Sequence, residues 1–300
     1  MIKKTSKDTL NWIEVCDPDS SEIHTLKQQY KLNSEMISYS IDKNERARVE
    51  YDAAEHKLII IYNAVVQRQI NEHYETEPIT FIVDKTSIIS FYSNHTQYLS
   101  QLIKTVVNDE KNTTVYGLLF DILFKLSDEY FPLIEEVNRQ RIQLTKMLRE
   151  KTTNTNLLKL SDLELGLVYF LSATKGNTVL LEQLKLLTVA RNLPEEEKER
   201  LDDVIVETKQ AVEMTHIASE ILEKLSGTYN NLLNNNLNNN MKFLTVWTLI
   251  LTVPTIVTGF FGMNVPLPFT HEPLGWGIAL LISIFFSLWI AIALWIRKIM

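Results

Sequence analysis

The chain has 300 residues, a single cysteine (Cys16), a net charge of −7 and 45% hydrophobic residues. One cysteine excludes a disulfide framework and a thiolate metal cage. The acidic balance argues against nucleic acid and suits cations as partners. The charge is uneven: residues 241–300 hold Lys242, Arg297 and Lys298 against Glu272, a net of +2, so residues 1–240 carry −9.

Residues 1–112 read as a cytoplasmic α/β domain. The opening MIKKTSKDTLNWIEV lacks an apolar core run, so a signal peptide is not expected. Ser20 to Leu32 and Ser34 to Ile41 carry helical patterning. Lys57 to Val66, Thr80 to Val83 and Thr86 to Tyr92 are β-branched runs, the last two separated by a turn at Asp84-Lys85. These elements predict an α/β sandwich.

Residues 113–240 read as a helical hairpin and a long stalk helix. Gly117 to Glu150 and Leu158 to Ala190 have apolar residues at helical spacing, and the polar TTNTN at 152–156 separates them as a short loop between antiparallel helices. Pro194 before Glu195-Glu196-Glu197 signals a third helix start. Its apolar residues (Leu201, Val204, Ala211, Met214, Ala218, Ile221, Leu225, Leu232, Leu237) keep a spacing of three or four, with one polar step at Thr208. The helix is predicted to run from about Pro194 through the membrane, on the order of 100 Å at 1.5 Å per residue. Asn230 to Asn240 has the composition of a flexible linker. Leu232, Leu233 and Leu237 nevertheless continue the helical stripe, which favours helix. Lys175-Gly176-Asn177 is an isolated turn-like match, better read as a helix irregularity than as a phosphate loop, so no nucleotide is expected. His56, His73 and His95 are scattered, and no nucleophile and base can be paired, so an enzyme is not expected.

Residues 241–300 read as a transmembrane hairpin. Phe243 to Phe261 and Leu274 to Ile296 contain no charge, and each is long enough to cross a hydrocarbon core of about 30 Å. The link between them, Gly262 to Pro273, has no Lys or Arg, whereas Arg297 and Lys298 follow the second span. The positive-inside rule then puts both termini in the cytoplasm and the link outside, in a multi-pass plasma-membrane protein. In the first span, Gly262, Gly259, Thr255, Thr252, Thr248, Thr245, Met241 and Asn238 follow one another by threes and fours and share one helix face. Small and hydroxylated residues on such a face let membrane helices pack closely. A stripe of this length, ending in Gly-Met-Asn, favours the other reading, a water-facing wall. Two helices enclose no aqueous path, so that reading demands a cyclic homo-oligomer, with the second span, polar only at Ser283 and Ser287, outermost against lipid.

The hairpin carrying Gly262-Met263-Asn264 resembles the CorA magnesium-transporter family, whose signature is GMN at the outer end of the first of two membrane helices. Asn240-Met241-Lys242-Phe243-Leu244 and Asp42 to Glu50 (DKNERARVE) are also similar to family phrases. The resemblance covers essentially the whole chain. It implies an α+β protein assembled as a funnel-shaped homopentamer, with the first spans lining the pore. It implies that Gly262, Met263 and Asn264 form the selectivity filter, that Met241 sits near an inner constriction with Asn238 in the neck below, and that Asp203 is a cytoplasmic regulatory metal ligand, with Glu72 or Glu75 as possible partners. Ala47 stands where members commonly have proline. Val265-Pro266-Leu267-Pro268 replaces the usual acidic phrase, so Glu272 with His271 becomes the candidate external acid.

Mg²⁺ gives up its water reluctantly. A path for it should offer neutral oxygens, as Thr and Asn do. The stripe contains no Asp or Glu, nor the His or Cys that inner-shell zinc or copper would favour. Co²⁺ and Ni²⁺ hexahydrates are of similar size, and poor discrimination against them is expected. The alternatives are a zinc-transporting relative of the same fold, against which Met263 speaks, and a non-transporting membrane-anchored scaffold.

Overall fold

The computed structural model describes residues 1–7, 10–70, 72–108, 114–150, 153–263 and 275–297. The chain divides into two units, Met1–Ser226 and Gly227–Met300.

The first unit is built on a six-stranded mixed sheet. Its strands are β1 (Ile2–Lys7), β2 (Leu10–Cys16), β3 (Arg48–Asp52), β4 (Lys57–Val65), β5 (Thr76–Val83) and β6 (Ser87–Tyr92), in the spatial order β1-β2-β6-β5-β4-β3. Only β2 and β6 run parallel. The three β-branched runs are β4, β5 and β6, and the turn at 84–85 is fixed by the Asp84 carboxylate, which accepts from the amides of Thr86 and Ser87 at 2.8 Å each. One sheet face buries Ile13, Ile59, Ile61, Ile82 and Phe91 under α1 (Ser20–Gln29) and α2 (Ser34–Ile41). The other buries Trp12, Leu58, Ile60, Tyr62 and Phe81 under α3 (Tyr98–Val107), α4 (Val115–Asp128), α6 (Asn154–Leu186) and the start of α8 (Glu195–Phe261). The predicted sandwich is therefore a sheet with helices on both faces.

The structure adds β1, β2, β3 and α3 to the elements expected from the sequence. β1 and β3 are short, charged edge strands, and β2 breaks its apolar run with Glu14. The expected single helix over 117–150 is two, α4 and α5 (Tyr130–Glu150). Pro132 explains the break. It has no amide hydrogen for the Asp128 carbonyl, and its ring tolerates only the first turn of a helix. The polar TTNTN loop is shorter than expected, since α6 begins at Asn154 with Thr153 as its N-cap.

Helix α6 lies close over the sheet. A Cβ on Gly166 would sit 3.2 Å from the Tyr74 Cβ, and one on Gly176 3.2 Å from the Ala47 Cβ. Next to Gly176, the buried Asn177 amide accepts from the Asn63 N–H at 2.9 Å and donates to the Asn63 carbonyl at 2.8 Å. Lys175-Gly176-Asn177 is thus neither turn nor phosphate loop but helix, shaped for contact with β4. After the short α7 (Thr188–Arg191), α8 runs from Glu195 to Phe261 with Gly227 and the asparagine-rich stretch inside it. Its polar step, Thr208, is buried, and its hydroxyl meets that of Ser127 at 2.9 Å, which in turn meets the Tyr62 phenol at 2.7 Å. The step is a sealed hydroxyl chain from α8 through α4 to the sheet.

In the second unit, the outer part of α8 and α9 (Gly275–Ile296) are both long and apolar enough to cross a membrane. Val246 and Ser283 are the buried side of this pair, while Phe285, Leu281 and Trp289 are more than 60% exposed. Such a surface suits a hydrocarbon solvent.

Candidate functional site

The candidate face of α8 is the one that α9 leaves uncovered. At 3.6 residues per turn, Val246, Ile250, Val253, Pro254, Val257 and Phe261 lie on one side of the helix, and all are buried or half-buried. Asn238, Met241, Thr245, Thr248, Thr252, Thr255 and Gly259 lie on the opposite side, and all are exposed; Gly262, also exposed, ends the stripe at the rim of the groove shared with α9. In this unit the threonines therefore do not serve the packing of α8 against α9.

Each threonine on that face is also oriented. The hydroxyls of Thr245, Thr248, Thr252 and Thr255 donate to the carbonyls of Met241, Leu244, Thr248 and Leu251, at 2.8, 2.8, 2.7 and 3.0 Å. This back-bonding uses the hydroxyl proton inside the helix and leaves the oxygen lone pairs facing out. From Thr245 to Thr255 the face consequently presents acceptors without competing donors. Water bound to a divalent cation has its hydrogens turned outward, and an acceptor-only wall is the chemical complement of that shell. The same wall offers an anion nothing.

The C-terminal end of the face is a helix terminus. Gly262 closes the last turn, its amide donating to the Thr258 carbonyl at 2.9 Å, and Met263 follows, donating to the Phe260 carbonyl at 3.3 Å. A Cβ at Gly262 would lie 3.1 Å from the Thr258 carbonyl oxygen, so glycine keeps this turn open. Met263 is exposed. Asn264, and Glu272 with His271, lie outside the described residues.

The first unit carries the proposed regulatory acid. Asp203 is exposed on α8, beside Asp202, which is paired with Lys185. Its suggested partners have other surroundings. Glu75 pairs with His73 at 3.0 Å, and Glu72 lines a groove of about 310 Å³ with Gln140, Lys159 and Asp162 of α5 and α6. Among the described residues, no three His, Cys, Asp or Glu side chains come together to hold a metal. No local pattern marks Glu207, whose carboxyl is pushed above its ordinary range by desolvation and then by the Asp128 charge. The pair is 79 positions apart in the chain, so only the fold brings them together.

A family model described as "CorA-like Mg2+ transporter protein" matches residues 7–298 of the chain. The "Cobalt/magnesium transport protein CorA" of Methanocaldococcus jannaschii is 26% identical over 284 residues, covering 92% of this chain and 86% of the relative. A "Magnesium transport protein CorA" of Helicobacter pylori is 25% identical over 265 residues, covering 84% of this chain and 79% of the relative. The complete structure of the CorA magnesium transporter from M. jannaschii superposes with a TM-score of 0.79 at 23% identity, covering 96% of this chain and 91% of that one.

Proposed function

Because the chain belongs to the CorA-like Mg²⁺ transporter family, and is therefore a membrane transporter of divalent cations, we propose that it conducts hydrated Mg²⁺ inward along the axis of a homopentamer. The observation that carries this reading is the acceptor-only threonine face, exposed over about three turns and turned away from α9. Copies of α8 arranged about an axis, with α9 outermost, would join these faces into a wet path. Gly262, Met263 and Asn264 form the filter, with Gly262 offering backbone carbonyls and Asn264 its amide oxygen. Thr255, Thr252, Thr248 and Thr245, with Gly259, line the passage. Met241 narrows it, and Asn238 lines the neck beyond. Glu272 gathers cations outside. Co²⁺ and Ni²⁺ compete, since the wall reads a hydration shell and not the bare ion.

An inside-negative potential suffices as the energy source, because a divalent ion gains roughly 4.6 kcal/mol per 100 mV. The protein sits in the plasma membrane with both termini in the cytoplasm. It works as three parts: the α/β domain at 1–112, the hairpin and stalk at 113–240, and the spans at 241–300. Residues 1–240 carry −9 per copy, and a ring of such domains repels itself. Cytosolic Mg²⁺ at Asp203, bridging neighbouring copies, offsets that repulsion and closes the path. The donor set fits only as a site shared between copies.

The test is Mg²⁺ flux into liposomes holding the purified protein under an imposed potential, with Asn264→Ala as the control. Wild-type flux that the variant lacks is expected. Absence of wild-type flux sinks the reading, and preference for Zn²⁺ over Mg²⁺ reassigns the ion.

A further inference from the structure

Pro254 lies inside α8, in the part of the helix that crosses the membrane. Proline has no amide hydrogen, so the carbonyl four residues back, that of Ile250, loses its partner in the helical ladder. In hydrocarbon that oxygen has no water to turn to, and a spanning helix must satisfy it internally. The satisfying donor comes from the other helix. The Ser287 hydroxyl of α9 donates to the Ile250 carbonyl at 3.4 Å. The other α9 serine behaves differently, since Ser283 donates within its own helix, to the Ala279 carbonyl at 2.8 Å. Ile250 and Pro254 both lie on the side of α8 that faces α9, away from the threonines.

We infer that Ser287 is a positioning residue for the ion path: its hydroxyl stands in for the missing Pro254 N–H and sets the angle of α8 where that helix is free to bend. The consequence runs along the threonine face. Thr245, Thr248 and Thr252 lie before the proline and Thr255 and Gly259 after it, so the contact at Ile250 fixes how the two stretches of wall line up. Without the hydroxyl, the bend relaxes and the hydroxyl levels fall out of register. The conduction half of this inference rests on the transport reading above. The structural half, a hydroxyl replacing an amide hydrogen, does not.

The test uses the full-length protein in detergent and in liposomes, with Ser287→Ala, Ser287→Thr, Pro254→Ala and the double variant Pro254→Ala/Ser287→Ala. Ser287→Ala is expected to lower the thermal midpoint and to change Mg²⁺ flux at fixed potential by about threefold, the usual weight of one hydrogen bond between membrane helices. Ser287→Thr keeps the hydroxyl and should restore both. Pro254→Ala returns an N–H to Ile250, so in that background Ser287→Ala should add nothing in either measurement. The inference is overturned if Ser287→Ala matches wild type, if it does equal harm with and without Pro254, or if it shifts the midpoint while leaving flux untouched. A wild-type protein that passes no divalent ion would sink the transport reading instead, and the thermal cycle would still decide the contact.

Discussion

Replacing Thr252 with valine keeps the shape of the side chain and removes one oxygen from the exposed face of α8. That oxygen gives its proton to the Thr248 carbonyl at 2.7 Å and turns its lone pairs outward. A hydrogen bond to a charged or strongly polarised group is worth about 1.5–3 kcal/mol. If the passing ion's water uses one such oxygen at the Thr252 level, the barrier there rises by that amount, and flux falls by about 10- to 100-fold. The control is Thr258→Val. Thr258 makes the same back-bond, to the Pro254 carbonyl at 2.9 Å, but lies a quarter-turn off the stripe and lines the apolar groove shared with Trp276 of α9. The assay is initial Mg²⁺ flux into liposomes at fixed potential, with equal protein incorporation checked by sedimentation. Flux unchanged in Thr252→Val, or reduced as much in Thr258→Val, would refute the argument that the stripe meets the ion.

Three other outcomes are expected. Asp203→Ala should raise uptake at normal internal Mg²⁺, and unaltered feedback would remove Asp203 from regulation. Asn177→Leu keeps the branched side-chain shape but leaves the buried Asn63 N–H without its partner, while the Asn63 carbonyl keeps the Tyr130 hydroxyl; this should cost about 1–3 kcal/mol, read as a lower thermal midpoint. An unchanged midpoint would show that the amide contributes nothing. Glu207 is a carboxyl whose folded pKa is raised above its unfolded value by desolvation and by Asp128. Its native site therefore favours the protonated form, and its contribution is lost as pH rises through the folded pKa. Glu207→Gln should stabilise the protein at neutral pH, with the gain fading as pH falls below the ordinary carboxylate range. A gain independent of pH would refute this.

The parts legible from sequence are those where one period dominates. The two spans, the long helix through Asn230–Asn240 and the strands β4 to β6 all declare themselves by spacing or by β-branched runs. The threonine stripe is visible for the same reason, because a hydroxyl every three or four residues stands out on an apolar helix. Two kinds of feature were hidden. β1 and β3 are polar edge strands with no apolar alternation to mark them, and each is held only by hairpin pairing with the strand that follows it. Pro132 was readable and was outweighed by the apolar spacing around it. At the candidate site, no local pattern announces that Ser287 serves Ile250, or that Thr208 joins a chain through Ser127 to Tyr62. Each partner lies 37 to 81 positions away. The back-bonding of the threonines is local and follows from their place in a helix. What the sequence alone withheld was which side of α8 the partner helix would occupy.

One arrangement in the first unit bears on how copies can live side by side. β3 pairs with β4 only as far as Arg48 opposite Ile61, so nearly half of β4, from Tyr62 to Val65, would be left as bare ribbon on that side. It is not bare. Asn177 takes both backbone groups of Asn63, the Tyr130 hydroxyl reaches the same carbonyl at 2.8 Å, and the Tyr98 hydroxyl takes the Val65 carbonyl at 3.0 Å. Burial holds both phenols well above their usual titration range, so they remain donors at any physiological pH. An unsheathed ribbon invites a stray chain to zip onto it. Sheathed by an amide and two phenols, this one gives a crowded neighbour no foothold, and copies gathered at a membrane can meet through side chains instead of fusing sheet to sheet.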